Sequence, residues 1–432
     1  MRTHWSSIGF TGLAASLLVG ACVFAMEGLP ERRATPSFAD FDRRANAGER
    51  LNVVFFGASL TWGANASDPQ LTSYRGVIAR RFEAAYPKAH IKYWDAAIGG
   101  TGSQLGAFRV DRDVLGRMPD LVFVDFSAND GVKSANPETL ASYEAVIRRI
   151  IAAGRAPVVI AIFPYKWDVE AGSTDGMKGR EAHMAIAKAY NCPVADVISL
   201  CQEQVKTGKA RLDELWPIDA VHPGDEGYRL FAEAAWAAFQ DGVEKQLTCT
   251  PPMKMLHAET YMTTVRWHIS SLKPLPAGWK VGTPNRTSAW YDALMSRWLD
   301  DVVVASNRRD VGRPGGAREP QAVEPLKVRF IGTMVLLFGE KTLKSGKYRV
   351  SIDGNLVTRS VAGAKEPVAD FDASAKMFGG NTHLTQVIAT GLAPRTEHTL
   401  EILPVFKADE DQELRIESIC VAGEGARVLG RD

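Results

Sequence analysis

The sequence predicts a parallel α/β domain followed by an antiparallel β-sandwich, in a chain of 432 residues. From residue 51 to residue 247, short apolar runs alternate with segments of helical periodicity, as in strands joined by helical crossovers. After Gln246, helical periodicity becomes scarce, and strand-like runs separated by Gly and Pro turns dominate. The chain is also longer than the roughly 250–300 residues at which a single hydrophobic core stops growing. We therefore expect one domain at residues 51–247 and a second at residues 248–432.

The predicted strands of the first domain are short runs rich in Val, Ile and Phe and bounded by Gly, Pro or Asp. They are LNVVFFG (51–57), IKYWDAAI (91–98), DLVFVDFS (120–127), APVVIAIFP (156–164) and CPVADVI (192–198). Such runs are typical of strands buried on both faces of a sheet. Apolar residues at helical spacing occupy residues 74–85, 140–151 and 224–239. Because parallel strands need crossovers, we expect helices on both faces and ligands at the carboxyl ends of the strands.

The second domain contains strand-like segments separated by turns such as SGK, DGN and GLAPRT. They are LKVRFIGTMVLLFG (326–339), KYRVSIDG (347–354), TQVIATG (385–391), HTLEILPV (398–405) and LRIESICVAG (414–423). Short strands with frequent Gly and Pro turns predict an antiparallel sandwich of the jelly-roll kind. Residues 308–324 are expected to form a long loop. One interpretation of this domain is that it binds carbohydrate.

The first 25 residues have the pattern of a bacterial export signal, since Arg2 precedes an uncharged, largely apolar stretch that ends in small residues. Cleavage near Ala25 is one interpretation, and lipidation of Cys22 in the sequence LVGAC is another. A retained anchor is the third. In each case the rest of the chain leaves the cytoplasm, so we expect a periplasmic or secreted protein. Residues 26–50 are polar and aperiodic, which predicts a tether.

Charge and cysteine content limit the classes of partner and site. The chain has 51 basic and 50 acidic residues and a net charge of +1, with no block of like charge. This balance gives no support to nucleic-acid binding. Beyond the export signal lie Cys192, Cys201, Cys249 and Cys420, whose spacing matches no zinc site. In an exported protein they either pair as disulfides or remain buried thiols, and the sequence leaves both open.

Ser59 is the candidate nucleophile because it follows directly on the first buried strand, in the sequence Gly57-Ala58-Ser59-Leu60-Thr61. A serine on a tight turn between a strand and a helix is exposed at the carboxyl edge of a sheet. Its hydroxyl becomes a good nucleophile only when a base takes its proton. Taken alone, a serine at a strand end is more often structural.

A base for this serine lies far along the chain, in the sequence Asp219-Ala220-Val221-His222-Pro223. A carboxylate three residues before a histidine can hold one ring nitrogen and leave the other free to accept the serine proton. Taken alone, Asp-x-x-His is more often a surface or capping pattern. Together with Ser59, it predicts that His222 is the base and Asp219 its partner.

Two further strand ends offer groups for an oxyanion hole. The second predicted strand leads into a glycine-rich turn with Gly100, and the third leads into Ser-Ala-Asn-Asp with Asn129. A backbone N–H group or a side-chain amide aimed at the developing oxyanion lowers the barrier by about 3–4 kcal/mol. The glycine-rich turn lacks the lysine of a phosphate-binding loop.

These blocks resemble the SGNH (GDSL) hydrolase family, named for Ser, Gly, Asn and His in four sequence blocks. Here they are GASLT with Ser59, IGGTG with Gly100, SAND with Asn129, and DAVHP with Asp219 and His222. The resemblance covers residues 51–246 and implies a flavodoxin-like three-layer α/β/α fold. It also implies a Ser-His-Asp triad, no metal or cofactor, and an oxyanion hole from Ser59 N–H, Gly100 N–H and Asn129.

Two positions depart from the family pattern. The usual aspartate before the nucleophile is Ala58, and the usual glycine two residues before the asparagine is Ser127. Neither position transfers the proton. The alanine does remove a supporting hydrogen-bond acceptor, so we expect the turn at the serine to be held in another way.

The preferred function is removal of acetyl or other short acyl esters from an extracytoplasmic carbohydrate or polysaccharide. The export signal, the additional sandwich and the lack of a long apolar lid segment favour such a substrate. Trp62, beside the nucleophile, either stacks on a sugar or belongs to the core. The alternatives are an O-acetyltransferase acting on an exopolysaccharide, a lipase or thioesterase, and a glycan-binding protein with an inactive hydrolase domain.

Overall fold

The computed structural model describes residues 34–284, 299–310, 318–361, 363–375 and 381–431. The predicted export signal and Cys22 lie outside these ranges. Within them, every helix is too short or too polar to cross a lipid bilayer.

A five-stranded parallel sheet forms the centre of the first part of the chain. Its strands are β1 (Arg50–Gly57), β2 (His90–Ala97), β3 (Leu121–Val124), β4 (Val158–Ile162) and β5 (Val194–Asp196). The order β2-β1-β3-β4-β5 is that of flavodoxin-like sheets. Every neighbouring pair is parallel. The predicted parallel α/β fold is confirmed.

Helices connect these strands and cover both faces of the sheet. They are α1 (Phe38–Asn46), α2 (Ser59–Trp62), α3 (Tyr74–Ala85), α4 (Ser103–Asp113), α5 (Ser127–Asp130), α6 (Pro137–Ala152), α7 (Lys166–Glu170), α8 (Lys178–Ala189), α9 (Val197–Lys206), α10 (Leu212–Leu215) and α11 (Asp225–Glu244). Helix α6 begins where the sequence indicates, with Pro137 in its first turn and the Asn136 side chain accepting from two backbone N–H groups. Its buried face includes Ile147 and Ile150.

The expectation of a tether at residues 26–50 is wrong for the described part of that segment. Ser37 caps α1 by accepting a hydrogen bond from Asp40 N–H. Phe38 and Phe41 of this helix are completely or almost completely buried. The Phe41 and Phe239 rings meet edge to face at 5.6 Å. The polar composition of residues 26–50 gives no indication that Phe38 and Phe41, three positions apart, share one buried face of a helix.

The second part of the chain contains two antiparallel sheets and a short hairpin. The strands are β6 (Thr264–His268), β7 (Trp279–Gly282), β8 (Val302–Ser306), β9 (Arg308–Asp310), β10 (Arg318–Pro320), β11 (Leu326–Ile331), β12 (Met334–Thr342), β13 (Lys347–Ile352), β14 (Asn355–Leu356), β15 (Phe371–Asp372), β16 (Asn381–Ala389), β17 (Glu397–Val405), β18 (Glu413–Ala422) and β19 (Arg427–Gly430). One sheet has the order β14-β13-β17-β11-β19, with β15 also paired to β13. The other has the order β16-β12-β18-β8-β7, with β6 also paired to β18.

The two sheets share one hydrophobic core, which confirms the predicted sandwich. Residues from both sheets, such as Val350 and Leu400 from one and Leu337 and Ile416 from the other, belong to the same buried cluster. The long loop expected at residues 308–324 is wrong in part, because β9 and β10 pair as antiparallel strands there.

Strand β12 is buried on both faces, because the sandwich lies directly against the α/β part. Val335 and Leu337 point into the sandwich core. Met334, Leu336 and Phe338 alternate with them and join the hydrophobic core of the α/β part. This two-sided burial explains why residues 334–338 are a continuous apolar run rather than an alternating one.

Candidate active site

The turn after β1 places Ser59 at the carboxyl edge of the parallel sheet. Ser59 is the first residue of the four-residue helix α2 and is only 6% exposed. Two residues earlier, a side chain at Gly57 would lie 2.1 Å from Thr61 Oγ1 and 2.4 Å from the carbonyl oxygen of Asp125. The close approach of these groups therefore requires glycine at position 57.

A buried arginine holds the end of β1 against the end of β2. Arg109 of α4 is completely buried and donates to the carbonyl oxygens of Gly57, at 2.8 Å, and Ala96, at 2.6 Å. Its guanidinium also pairs with Asp113 at 3.2 Å and lies over the Phe56 ring. Burial lowers the pKa of Arg109 to about 10, so its charge persists at neutral pH. The sequence analysis missed this residue, because its partners are backbone groups distant in sequence.

A second arginine fixes the carboxyl end of α2. Arg75 of α3 donates to the carbonyl oxygens of Thr61, at 2.8 Å, and Trp62, at 2.9 Å. It also forms an ion pair with Asp95 at 3.4 Å. Trp62, the sugar-stacking candidate, is half-buried beside the nucleophile. The hydrogen bond from Arg75 to the Trp62 carbonyl oxygen holds the turn. It does not decide whether the Trp62 ring stacks on a sugar.

The structure brings Ser59, His222 and Asp219 together. His222 Nε2 lies 3.0 Å from Ser59 Oγ, and His222 Nδ1 lies 3.2 Å from Asp219 Oδ2. The histidine follows β5 by 26 positions and reaches the serine because its loop returns across the carboxyl edge of the sheet. A neutral imidazole with its proton on Nδ1 would have Nε2 free to accept the serine proton.

Asp219 is held by more than its histidine. Its Oδ1 accepts the backbone N–H groups of Val221 and His222, each at 2.7 Å, and its Oδ2 accepts Asn65 Nδ2 at 2.9 Å. Burial opposes ionisation, but these donors outweigh it and lower the pKa of Asp219. The carboxylate is therefore ionised at neutral pH, as an acceptor of the imidazole N–H must be.

Asn65 is a site residue that the sequence analysis missed. It lies six positions after Ser59, in the left-handed conformation with φ of 67°, which asparagine tolerates better than most residues. Besides Asp219, its amide approaches the His222 carbonyl oxygen at 3.4 Å. The segment after the nucleophile thus contacts both members of the acid–histidine pair. A single asparagine in a loop carries no sequence pattern that would predict this contact.

Gly100 and Asn129 follow strands that flank β1. The register pairs Gly57 with Ala97, and Phe56 with Val124, so the ends of β2, β1 and β3 are level. Gly100 has φ of 71° and is exposed, and its N–H group has no hydrogen-bond acceptor among the described residues. Both predicted oxyanion donors therefore lie at the edge of the sheet that carries Ser59.

The Asn129 side chain is exposed in the short helix α5, and its amide has no hydrogen-bond partner in the described ranges of the chain. The next residue, Asp130, accepts Ser103 N–H at 2.9 Å. A side chain at Gly102 would lie 2.4 Å from the same carboxylate oxygen. This close contact fixes the turn that carries Gly100 to the helix that carries Asn129.

Two buried carboxyl groups support these turns. Asp125, at the end of β3, accepts from Thr61 Oγ1 at 3.3 Å and from Ser127 Oγ at 3.1 Å. Burial raises the pKa of Asp125 to about 7 and that of Asp130 to about 7. Thr61 and Asp125 thereby link α2 to the neighbouring strand. In this protein that link supports the nucleophile turn, where Ala58 replaces the usual aspartate.

The second departure from the family pattern also has a structural role. Ser127 is completely buried and its hydroxyl oxygen accepts Phe163 N–H at 2.9 Å. The same hydroxyl donates to Asp125. The serine therefore connects the ends of β3 and β4, which glycine at this position would not do.

The cysteines and one histidine complete the sequence-based candidates. Cys192, Cys201, Cys249 and Cys420 are all buried free thiols, and the Cys192 and Cys249 sulfurs lie 3.6 Å apart. His183 of α8 is not a surface residue. It is 1% exposed, and neither ring nitrogen has a hydrogen-bond partner within the described ranges.

His268, Asp300 and Glu417 form a cluster in the second part of the chain, with one potential ligand atom from each within 4.8 Å of the others. Arg266 pairs with Glu417 at 2.6 Å, and Arg112 pairs with Asp300 at 3.3 Å. The guanidinium groups already supply the positive charge that a bound cation would bring. We therefore describe the cluster as an ion-pair network.

The fold and the family match together define an ester hydrolase. Residues 55–230 match the sequence model of the GDSL-like lipase/acylhydrolase family. The α/β part of this chain is a GDSL-like lipase/acylhydrolase domain, in agreement with the resemblance of its four sequence blocks. No curated protein sequence is detectably similar to the chain.

Several solved structures are similar to the protein. A two-domain esterase active on acetylated mannans, co-crystallised with mannopentaose, has a TM-score of 0.66 and 23% identity, covering 89% of this chain and 94% of that one. A second structure of that esterase has a TM-score of 0.64 and 22% identity, with the same coverage. An acetyl xylan esterase from Geobacillus stearothermophilus has a TM-score of 0.37 and 21% identity, covering 44% of this chain and 94% of its own. The likeness to the two-domain esterase establishes a shared fold across both parts of the chain.

Proposed function

We propose that this ester hydrolase removes acetyl groups from an acetylated carbohydrate, with Ser59 as nucleophile, His222 as base and Asp219 as the group that orients the base. The observation that carries the assignment is the continuous chain of contacts from Ser59 Oγ through both ring nitrogens of His222 to Asp219 Oδ2. It lies at the carboxyl edge of the sheet, where such folds bind their ligands.

Acylation begins when Ser59 Oγ attacks the carbonyl carbon of the acetyl ester and its proton passes to His222 Nε2. Asp219 stays ionised and stabilises the imidazolium that forms. The carbonyl oxygen becomes negatively charged and receives hydrogen bonds from Ser59 N–H, Gly100 N–H and the Asn129 amide. The turns at the ends of β1, β2 and β3 set the backbone positions of the residues that carry these donors.

Collapse of the tetrahedral intermediate breaks the bond between the acetyl carbon and the sugar oxygen. His222 gives its proton to that oxygen, so the sugar leaves with a free hydroxyl group and Ser59 carries the acetyl group. A water molecule then attacks the acetyl-serine while His222 again accepts a proton. Return of that proton to Ser59 Oγ releases acetate and restores the enzyme.

Support for a carbohydrate substrate comes from the two-domain organisation. The esterase active on acetylated mannans shares both parts of the fold over 89% of this chain. The sandwich of this protein lies directly against the α/β part through Met334, Leu336 and Phe338. The sandwich thereby places a second protein surface next to the α/β part, where it can contact a polymer that carries the ester.

We propose that the enzyme works outside the cytoplasm, in the periplasm or after secretion. Support comes from the N-terminal sequence, in which Arg2 precedes a largely apolar stretch ending in small residues. Cell fractionation followed by N-terminal sequencing tests this location. A mature N-terminus near Met26 indicates cleavage, a lipidated N-terminal Cys22 indicates a lipoprotein, and an intact cytoplasmic chain contradicts the proposal.

Acetate release from acetylated manno-oligosaccharides tests the function, with a long-chain fatty acyl ester as the comparison substrate. The wild-type protein is expected to release acetate and to hydrolyse the fatty acyl ester poorly. Ser59→Ala, shown by circular dichroism to be folded, is expected to release none. A preference for the long-chain ester would make the protein a lipase, and acetyl transfer to a second sugar without acetate release would make it a transferase.

A further inference from the structure

An aromatic pair, the half-buried Tyr165 and the exposed Trp167, follows β4 at the edge of the sheet that carries the candidate active site. Trp167 of α7 is 41% exposed. Its ring centroid lies 4.7 Å from that of Tyr165, with 52° between the ring planes. Among the large hydrophobic side chains in the described part of the chain that are clearly exposed, Trp167 alone is aromatic. An indole face that is accessible to water is available to stack on a ligand.

The pair is attached to the loop that carries the catalytic histidine. Lys166 N–H, between the two aromatic residues, donates to the Ala220 carbonyl oxygen at 2.9 Å. Ala220 lies between Asp219 and His222 in the chain. The backbone of the aromatic pair is therefore in direct contact with the backbone of the acid–histidine segment.

The support beneath the pair is rigid. Asp168 Oδ2 accepts Tyr165 N–H at 3.0 Å, and the Asp168 carbonyl oxygen accepts Gln202 Nε2 at 2.9 Å. Asp168 also pairs with Lys133 at 3.5 Å. An exposed ring on a fixed backbone loses little conformational freedom when a ligand stacks on it, which favours binding.

Tyr165, the inner member of the pair, is half-buried. Burial, together with the carboxylates of Asp125, Asp168 and Asp130, raises the pKa of Tyr165 to about 12. Asp125 and Asp130 flank the residues of α5 that include Asn129. The contact that places the pair beside the candidate active site is the one between Lys166 N–H and the Ala220 carbonyl oxygen, in the loop of His222. Ile218, adjacent to Asp219 in the chain, is a second exposed apolar side chain, at 56%.

We propose that Trp167, backed by Tyr165, is a subsite that stacks on the face of a pyranose ring of the substrate, next to the ring whose acetyl ester is cleaved. The inference rests on the proposed function and names the part of the site that selects a carbohydrate over a simple ester. A pyranose presents a face of C–H groups that complements the face of an indole ring, and its hydroxyl groups stay in water.

Kinetics on two substrates test the subsite. Trp167→Ala is expected to raise KM for an acetylated manno-oligosaccharide by about tenfold, with little change in kcat and with unchanged hydrolysis of p-nitrophenyl acetate. Trp167→Phe is expected to recover most of the loss, because it retains an aromatic face. Met118→Ala serves as the control, since Met118 is 63% exposed and precedes β3 at the opposite edge of the sheet.

An unchanged KM for the oligosaccharide in Trp167→Ala overturns the subsite, and so does an equal loss on both substrates, which indicates a structural role. Titration of catalytically inactive Ser59→Ala with unacetylated mannopentaose separates this failure from failure of the proposed function. Saturable binding that Trp167→Ala weakens about tenfold supports the subsite even if acetate release fails. Absence of binding to Ser59→Ala contradicts it.

Discussion

Asn65 connects the segment that follows Ser59, the proposed nucleophile, to Asp219, the proposed partner of the base. Its amide donates to the same oxygen of Asp219 that faces His222 Nδ1. The neighbouring Ser67 makes a second connection, since its N–H and hydroxyl groups donate to Asp225 at 2.8 and 2.6 Å. Both contacts attach the loop after Ser59 to the segment that carries His222. Only the Asn65 contact involves a residue of the proposed triad, so comparing the two distinguishes orientation of Asp219 from attachment of the loop.

Replacing Asn65 with alanine is expected to lower kcat by about tenfold with little effect on KM. A hydrogen bond to a charged group contributes about 1.5–3 kcal/mol, and its loss lets the carboxylate turn away from the imidazole. Ser67→Ala is the matched control and is expected to stay close to the wild-type rate. Steady-state kinetics on p-nitrophenyl acetate measure both. Equal losses in the two variants would mean that Asn65 only holds the loop.

Asn129→Ala is expected to reduce kcat by about 10²–10³-fold with a small change in KM, because an oxyanion donor acts mainly in the transition state. The exposed side chain makes no hydrogen bond to the described residues that the folded protein would lose. Thermal unfolding should therefore be unchanged, which distinguishes catalysis from stability. A change confined to KM would instead make Asn129 a contact to the bound substrate.

At the scale of secondary structure, the sequence predicted the elements better than their ends. Apolar runs identify β1 and β2, and Pro137 identifies the start of α6. The predicted third strand continues to residue 127, but the observed strand ends at Val124 and α5 begins at Ser127. Hydrogen bonds between residues far apart in sequence determine such an end. Here the Ser127 hydroxyl accepts Phe163 N–H after β4, and Asp125 accepts Thr61 Oγ1 in α2.

His183 shows the same limit, since helical spacing places it on α8 but does not reveal the face it occupies. Burial lowers the pKa of His183 from 6.5 to about 4, so the folded protein keeps it neutral. The unfolded chain takes up a proton as the pH falls below 6.5. Stability that depends on this residue is therefore lost as the pH falls from 6.5 to about 4, by roughly 3 kcal/mol in total.

His183→Phe is expected to remove this component of the pH dependence. Denaturant unfolding measured at several pH values should show the wild-type free energy of unfolding falling relative to the variant between pH 6.5 and about 4. Asp125 and Asp130 shift in the opposite direction, but they are present in both proteins and cancel in the difference. A constant difference across this range would mean that His183 titrates normally in the folded protein.

At the scale of the whole molecule, the α/β part and the sandwich share a continuous apolar interface. Helices α4 and α6 contribute polar contacts beside it, where Gln104 donates to Tyr261 Oη at 3.0 Å and Arg149 donates to Thr264 Oγ1 at 2.9 Å. The buried carboxylate of Glu144 also accepts from His257 Nδ1 at 2.8 Å. The sequence predicted both the α/β architecture and the sandwich. It did not reveal that strand β12 of the sandwich packs against the α/β part.

Every candidate catalytic residue precedes Gln246, which would favour an active fragment ending there. The interface predicts the opposite outcome, because such a fragment exposes the apolar surface that Met334, Leu336 and Phe338 cover. We expect the fragment to aggregate, and the full chain to unfold in a single calorimetric transition. Light scattering and calorimetry measure these outcomes. A monomeric, cooperatively folded fragment would show that the interface is dispensable.

Covalent labelling of the nucleophile tests the central claim most directly. An activated phosphonate ester, which acylating serine enzymes attack, is incubated with the wild-type protein, His222→Ala and Asn65→Ala, and the labelled peptide is located by mass spectrometry. We predict a single label on Ser59 in the wild-type protein, none in His222→Ala, and slower labelling at the same residue in Asn65→Ala. A label on another residue, or undiminished labelling of Ser59 without His222, would contradict the assignment.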